Sequence, residues 1–287
     1  MNAVTFTANG NHLVAGDSEG VCVWRVQDGK RMAAWKAGDV LCLAVSTDGR
    51  WIAAGTGLGR VIVWDAETYE QVFEHWELFP PTMVTAVDFS PDSTRLVAAW
   101  DSTAMIIWNF LSREQVQSLP QPEQVFTAKY SPQGDRIATA SKTSVRVWDS
   151  NDGRLLVDIK VHVISSFNSG LLWFNNYIFV TSTSKIEQID ASIGSTVSEW
   201  SVPGVSSVSC IALPQHGKFI AYSTWDTITF WDTSTYSQLL CIQRRTNRAP
   251  VAFSTDDRSF AFVAPDMTMT VKRLSSITVG FMPCARV

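Results

Sequence analysis

The side chains that most often carry out catalysis are sparse in this chain. Its four histidines, His12, His75, His162 and His216, include no two at the spacing of metal ligands. The phrase GTGLG at residues 55–59 is rich in glycine, but it precedes a predicted strand and lacks the Lys-Ser/Thr pair of a phosphate-binding loop. No nucleophile-elbow phrase marks a serine. The sequence therefore predicts a protein that is not an enzyme and that holds no metal and no cofactor.

Residues suited to binding a partner are more prominent. Trp100 and Trp225 each stand directly before an aspartate in a predicted short loop. The segment 75–83, HWELFPPTM, places Trp76 and Phe79 beside two prolines where a minimal turn would suffice. A large aromatic side chain on a stiff loop contributes about 2 kcal/mol or more when a partner buries it. We predict that these four aromatic residues contact a partner, and the alternative for the two loop tryptophans is packing between neighbouring repeats.

A local cluster of arginines lies in the phrase RRTNR, at Arg244, Arg245 and Arg248. A solvated loop is the simplest interpretation, and contact with an acidic partner or a phosphate is the alternative. Over the whole chain, 23 Lys and Arg face 27 Asp and Glu, which gives a net charge of -4. That balance provides no electrostatic footprint for nucleic acid. We place the three arginines at the rim of the predicted partner-binding surface.

The elements that must position these residues recur every 40 to 44 residues. Five apolar runs end in a tryptophan anchor: VCVWR, VIVWD, IIWN, VRVWD and TFWD, with Trp24, Trp64, Trp108, Trp148 and Trp231. Ile189 and Leu274 hold the same place in two degenerate copies. The chain thus divides into seven units, approximately 2–39, 40–83, 84–124, 125–165, 166–207, 208–248 and 249–287. Each unit is too small to bury its own apolar face, so neighbouring units must pack together.

A turn phrase precedes the anchor in six of the units: FTANG, VSTDG, FSPDS, YSPQG, LPQHG and FSTDD. Pro, Asp and Gly in these phrases preset tight turns. The flanking runs are short, rich in Val, Ile, Phe and Thr, and show no helical period, so the chain is predicted to be all-β with four strands in each unit. In the fifth unit LLWFNN replaces the phrase. We expect Trp173 and Phe174 to fill core volume there that the smaller Ile189 leaves at the anchor position.

The spacing, the turn phrase and the Trp-Asp ending resemble the WD40 repeat family, and the resemblance covers essentially the whole chain. It implies a seven-bladed β-propeller of four-stranded antiparallel blades around a central channel. It also implies that partners bind on the loop face around the channel. We predict that the anchor tryptophans pack the blades and that Asp17, Asp101 and Asp226 form hydrogen bonds within turns. The Gly-His dipeptide that opens a typical repeat is missing from every unit. The family's buried network of His, Ser/Thr, Trp and Asp is therefore expected to be partial.

Closure of the ring follows from the order of the predicted strands. Ala3 to Phe6 already serves as the innermost strand of the first unit, and Ile277 to Met282 supplies the outer strand of the last. We therefore predict that every blade is continuous in sequence and that the ring closes by packing alone. Removal of residues 276–287 would then expose a sheet edge and promote aggregation.

Composition agrees with one compact domain, because 46% of the residues are hydrophobic and 17% are charged. The longest apolar stretch, Leu171 to Val180, is too short for a membrane helix, and residues 1–10 lack the pattern of a signal segment. The five cysteines form no CxxC pair, and no Asn-x-Ser/Thr sequon occurs, which fits a reducing compartment. We expect a cytoplasmic, monomeric domain that is either a whole protein or part of a larger protein or complex.

Two classes of function remain after these exclusions. The leading one is a non-catalytic scaffold that binds a protein or peptide through two patches facing each other across the channel mouth. The alternative is a propeller that binds a small ligand or carbohydrate, which requires a shallow aromatic pocket between adjacent blades that recurs around the ring. A hydrolase is a distant third, without a polar constellation to support it. The degenerate form of the repeats, for example FWDTSTYSQLL, resembles the WD-repeat regions of fungal NACHT-type proteins.

Overall fold

The computed structural model describes residues 2–77, 82–102, 104–163, 170–182, 185–202, 208, 210–224, 226–235, 237–243, 250–264 and 268–274, except for the side chains of 73–77 and 104. The strands in these ranges form seven antiparallel sheets, one for each predicted unit. We number the sheets as blades one to seven in chain order.

The strands of each blade follow one another along the chain. Blades one to three comprise β1 (Ala3–Phe6), β2 (His12–Gly16), β3 (Gly20–Arg25), β4 (Arg31–Lys36); β5 (Val40–Val45), β6 (Trp51–Thr56), β7 (Arg60–Asp65), β8 (Gln71–Glu77); and β9 (Val84–Phe89), β10 (Arg95–Trp100), β11 (Ala104–Asn109), β12 (Glu114–Pro120). Blades four to six comprise β13 (Val125–Tyr130), β14 (Arg136–Ser141), β15 (Ser144–Asp149), β16 (Leu155–Lys160); β17 (Leu171–Phe174), β18 (Tyr177–Thr181), β19 (Lys185–Asp190), β20 (Thr196–Ser201); and β21 (Cys210–Ala212), β22 (Phe219–Ser223), β23 (Thr227–Asp232), β24 (Gln238–Gln243). In the described part of blade seven, three strands pair: β25 (Val251–Phe253), β26 (Ser259–Val263) and β27 (Met269–Arg273).

The blades form a closed ring, because the first strand of each blade contacts the first strand of the next and β25 contacts β1. The Thr255 hydroxyl in blade seven donates a hydrogen bond of 2.6 Å to the carbonyl of Ala8 in blade one. The predicted fold, a seven-bladed β-propeller, is confirmed. The predicted outer strand at 277–282 lies outside the described residues, so closure by packing alone stays a prediction.

Packing between blades explains the small residues of the second strands. These strands are covered on both sides by neighbouring blades, and β6 is buried along its whole length. A Cβ atom on Gly16 would lie 2.4 Å from Cγ1 of Val40 in the next blade, and a Cβ atom on Gly55 would lie 2.4 Å from Cγ1 of Val84. Glycine is required at both positions because the adjacent first strand approaches this closely.

The anchor tryptophans pack within and between blades, as predicted. Trp64, Trp108 and Trp148 are buried, while Trp24 and Trp231 are half-buried. The indole N–H of Trp148 donates a 3.0 Å hydrogen bond to the hydroxyl of the buried Thr139. This pair forms the Trp and Ser/Thr part of the family's polar network without a histidine.

Blade five has an isoleucine in place of the anchor tryptophan, with Trp173 close to it. Ile189, at the anchor position, is fully buried in an apolar cluster. Trp173 packs against the same cluster and is half-buried. The indole N–H of Trp173 donates to the carbonyl of Asn175 at 3.0 Å. Trp173 thus adds apolar packing to the cluster around Ile189, and the size of its contribution to stability stays a prediction.

Three of the cysteines, Cys22, Cys42 and Cys210, carry thiols, and burial raises the pKa of the Cys42 thiol to about 12. The reducing compartment stays a prediction. Within the described ranges, no helix has the length and apolar character needed to cross a membrane.

Candidate functional site

The loops between second and third strands, and those from each outer strand to the next blade, lie on one side of the ring because the chain reverses at every antiparallel connection. We call this side the loop face. The opposite side, formed by the turns between first and second strands and between third and fourth strands, is the turn face. The described part of the loop face includes residues 17–19, 37–39, 57–59, 121–124 and 142–143.

Trp100 lies between blades and not on the loop face. Its exposed fraction is 0%, and its indole N–H donates a 3.1 Å hydrogen bond to the carbonyl of Gly59 in blade two. Its ring also meets Trp108 edge-on, with centroids 5.6 Å apart. The prediction that Trp100 contacts a partner is wrong. Trp100 is the last residue of β10, and the hydrogen bond to Gly59 shows that its side chain points towards blade two.

The other predicted contact residues lie outside the part of the molecule that the structure describes: Phe79, Trp225, Arg244, Arg245, Arg248 and the side chain of Trp76. The backbone of Trp76 belongs to β8, where it pairs with Val61. Val61 and Trp100 belong to the same buried cluster. Trp76 therefore lies in blade two and Trp100 in blade three, and Trp100 is buried.

The loop aspartates hydrogen-bond locally, as predicted. Asp17 accepts hydrogen bonds from the backbone N–H groups of Glu19 and Gly20 at 2.9 and 3.2 Å. Asp226 accepts the hydroxyl of Thr224 at 2.7 Å. These bonds hold the loops of blades one and six in tight turns. Asp101 instead accepts a hydrogen bond from the side-chain amide of Gln124, which connects two loops of the same face.

An ion-pair cluster at the loop face of blades three and four was missed by the sequence analysis. Arg146 is 6% exposed, and its guanidinium lies 3.5 Å from Glu123 and 3.4 Å from Asp158. The hydroxyl of Thr143 also donates to the Glu123 carboxylate. This hydrogen bond, together with the guanidinium of Arg146, lowers the pKa of Glu123, so the carboxylate is anionic at neutral pH.

The signal for this cluster was present in the phrase VRVWD. Arg146 stands there at the position that Cys22 and Ile62 occupy in the phrases VCVWR and VIVWD. A charge at a position that is apolar in other repeats is expected to be buried, and a buried charge requires partners. The partners come from other elements: Glu123 from the loop before β13, and Asp158 from β16, opposite Arg146 in the sheet. We call Asp101, Glu123 and Thr143 the acceptor patch.

The acceptor patch presents half-exposed oxygen atoms that other protein groups hold in place. The side chain of Glu123 is 26% exposed. Such preformed carboxylates suit hydrogen-bond donors or a cation on a partner, since little side-chain freedom is lost on binding. In the described part of the chain, no group of three or more His, Cys, Asp and Glu side chains could hold a metal ion.

Comparison with known families identifies the repeats. The WD40 family (WD domain, G-beta repeat) matches three tandem segments, residues 29–65, 72–107 and 113–149. Each segment takes the outer strand of one blade and the first three strands of the next. Residues 29–149 therefore contain three tandem WD40 repeats, and the predicted resemblance to the WD40 family is confirmed.

The curated relatives include a subunit of a translation initiation factor and a WD repeat-containing protein of Danio rerio. Eukaryotic translation initiation factor 3 subunit I of Pyricularia oryzae is 24% identical over 64% of this chain and 58% of its own length. Periodic tryptophan protein 2 of Arabidopsis thaliana is 26% identical over 78% of this chain and 25% of its own length. The chain spans between 18% and 59% of the length of the curated relatives that it matches.

Solved structures share the fold. A chain of the mitotic checkpoint complex superposes with a TM-score of 0.81 at 18% identity, over 96% of this chain and 87% of that one. The structure of U3-55K gives a TM-score of 0.79 at 14% identity, over 92% and 88%. At these identities the likeness concerns the fold alone. WD40 propellers are typical of protein-interaction scaffolds.

Proposed function

We propose that this chain is a non-catalytic scaffold that binds a protein or peptide on its loop face, around the mouth of the central channel. The observation that carries the proposal is the acceptor patch on the face where the WD40 propeller gathers its loops. The Glu123 carboxylate there is held by Arg146 and Thr143 and remains partly exposed. The relatives named above include a subunit of an initiation factor, and a chain with the same fold belongs to a checkpoint complex. Membership of an assembly is proposed for this chain by analogy.

The chemistry of the face suggests what the partner carries. On the side of blades three and four, the acceptor patch offers carboxylates to a basic or hydrogen-bond-donating group. On the side of blades six and seven, we retain Trp225, Arg244, Arg245 and Arg248 as proposed contacts, which suit an apolar side chain and an acidic group. Trp76 and Phe79 remain proposed contacts in the connection between blades two and three. Trp100 is removed from the proposed site because it is buried.

The test begins with capture of the partner by the native chain from its source, followed by affinity measurements on purified variants. Glu123→Gln keeps the size of the side chain and removes its charge, and Trp225→Ala removes a proposed aromatic contact. We expect each to weaken binding by about ten-fold, the effect of losing one good charged or aromatic contact. Leu111→Ala is the matched control, because Leu111 is an exposed apolar residue on the turn face.

Thermal melting is read on every variant, so that a loss of affinity can be separated from a loss of fold. If Glu123→Gln and Trp225→Ala bind like the native chain while Leu111→Ala does not, the partner binds the turn face and the proposal is wrong. We also propose a cytoplasmic location. The alternative is a propeller that binds a small ligand or carbohydrate, and it requires an aromatic pocket that recurs around the ring.

A further inference from the structure

The turn face carries a ring of turns between first and second strands, and one of them is short. In six blades, five or six residues separate these strands, for example between Phe6 and His12 and between Tyr130 and Arg136. In blade five only Asn175 and Asn176 separate β17 from β18. Asn175 has φ of 52°, a left-handed conformation that asparagine tolerates better than most residues. This is the unit in which the sequence reads LLWFNN in place of the turn phrase.

The longer turns contact their neighbours around the ring. The backbone N–H of Asp48 in blade two donates to the Ser93 hydroxyl of blade three at 3.1 Å. Backbone N–H groups of Gln215 and His216 in blade six donate to the Asp257 carboxylate of blade seven at 2.7 and 2.8 Å. Between blades four and five, where the turn is shortened, the ring instead opens into a cleft of about 280 Å³.

The cleft combines an aromatic platform with amides and a balanced ion pair. It is lined by Ser131, Gln133, Asp135, Arg136, Trp173, Asn175 and Asn176. The half-buried indole of Trp173 is fixed by its hydrogen bond to the Asn175 carbonyl. Arg136 lies 3.6 Å from Asp135, so the lining carries no net charge.

Several groups of the lining are held in place by the protein itself. The Ser131 hydroxyl donates to the Asp135 carboxylate at 2.8 Å, and the amide of Asn176 donates to Asp190 at 3.0 Å. By contrast, the exposed side-chain amides of Gln133 and Asn175 make no hydrogen bond to other described residues. Each offers both a donor and an acceptor to a ligand.

We propose that this cleft binds a neutral sugar ring. An indole face packs against the apolar C–H face of a sugar, while carboxamides and a carboxylate hydrogen-bond to its hydroxyl groups. The cancelled charge of Asp135 and Arg136 disfavours phosphates and free carboxylates. The volume lies just below that of pockets for drug-sized ligands, which suits a single ring and not an extended chain. The site lies on the turn face and goes beyond the proposed scaffold function, which concerns the loop face.

Saturation-transfer NMR with methyl β-glucopyranoside, methyl α-mannopyranoside and N-acetylglucosamine as probes tests the proposal on the whole chain. We expect at least one of these neutral single-ring sugars to bind. Gln133→Ala and Asn175→Gly should each weaken binding by about ten-fold, the effect of one or two lost hydrogen bonds. Glycine is chosen at 175 because it keeps the left-handed backbone conformation. Gln215→Ala is the matched control: Gln215 is an exposed glutamine in the corresponding turn of blade six.

Three results would overturn the assignment. The first is the absence of saturation transfer to all three probes, and the second is binding that Gln133→Ala and Asn175→Gly leave unchanged. The third is binding of a hexaproline peptide that the same two variants abolish, which would make the cleft a peptide site. Thermal melting should be unchanged in both variants because these side chains are exposed. Partner capture by the loop face should also be unaffected, so either proposal can fail without the other.

Discussion

Substitution of Trp100 distinguishes a residue that packs blades together from one that binds a partner. The indole is fully buried in the cluster shared by blades two and three, it donates a hydrogen bond to the Gly59 carbonyl, and it meets Trp108 edge-on. Truncation of a buried large aromatic side chain to alanine costs about 3–5 kcal/mol in the free energy of unfolding. We therefore expect Trp100→Ala to destabilise the protein by an amount in this range. If the side chain were exposed, the substitution would change the free energy of unfolding by no more than about 0.5 kcal/mol.

Two further variants separate the contributions. Trp100→Phe keeps most of the apolar volume and leaves the Gly59 carbonyl unpaired, for which we expect a cost of about 1–3 kcal/mol. Leu111→Ala, at a residue 69% exposed on the turn face, serves as the control and should change stability by less than about 0.5 kcal/mol. The assay is urea unfolding followed by both fluorescence and circular dichroism, because coincident transitions are needed before a single free energy is extracted. A loss below about 1 kcal/mol for Trp100→Ala would refute the placement of this residue between blades.

Three more predictions follow from packing and titration. Gly16→Ala should lower stability by about 1–3 kcal/mol, because the new methyl group overlaps Val40, and Val40→Ala in the same chain should recover part of the loss in urea unfolding. Iodoacetamide at pH 8 should label Cys22 in the native protein well before Cys42, because burial raises the pKa of the Cys42 thiol to about 12. Peptide mass spectrometry measures the labelling, and equal labelling of the two residues would contradict the burial of Cys42. Hydrogen bonds from Ser234 and Thr235 lower the pKa of Asp232 to about 2. The ionised carboxylate therefore stabilises the fold fully above the pKa of the unfolded state, and this stabilisation is lost as the pH falls towards 2. Asp232→Asn should accordingly make the melting temperature less dependent on pH in the acid range.

Local sequence predicted most of the propeller. The apolar runs ending in Trp64, Trp108 and Trp148 predicted third strands, and the structure has β7, β11 and β15 there. Turn phrases predicted the hairpins because Pro, Asp and Gly act through their own backbone conformations. Even the loss of the phrase in the fifth unit was visible, and it corresponds to the two-residue turn at 175–176. Each of these features depends on residues within one unit of the chain.

The site was less predictable, since its residues are fixed by contacts between units. Trp100 was placed on the surface because it precedes a loop aspartate, but the carbonyl that it binds is 41 residues away along the chain. Arg146 meets Glu123 across a loop, and the cleft beside Trp173 opens between two blades. The repeat thus determined the number of blades and the order of their strands by local backbone preference and apolar pattern. The tertiary structure decided which side chains are buried between blades and which can reach a partner. The reason is that neighbouring units pack at a fixed distance and rotation around the ring, and no single unit contains that information.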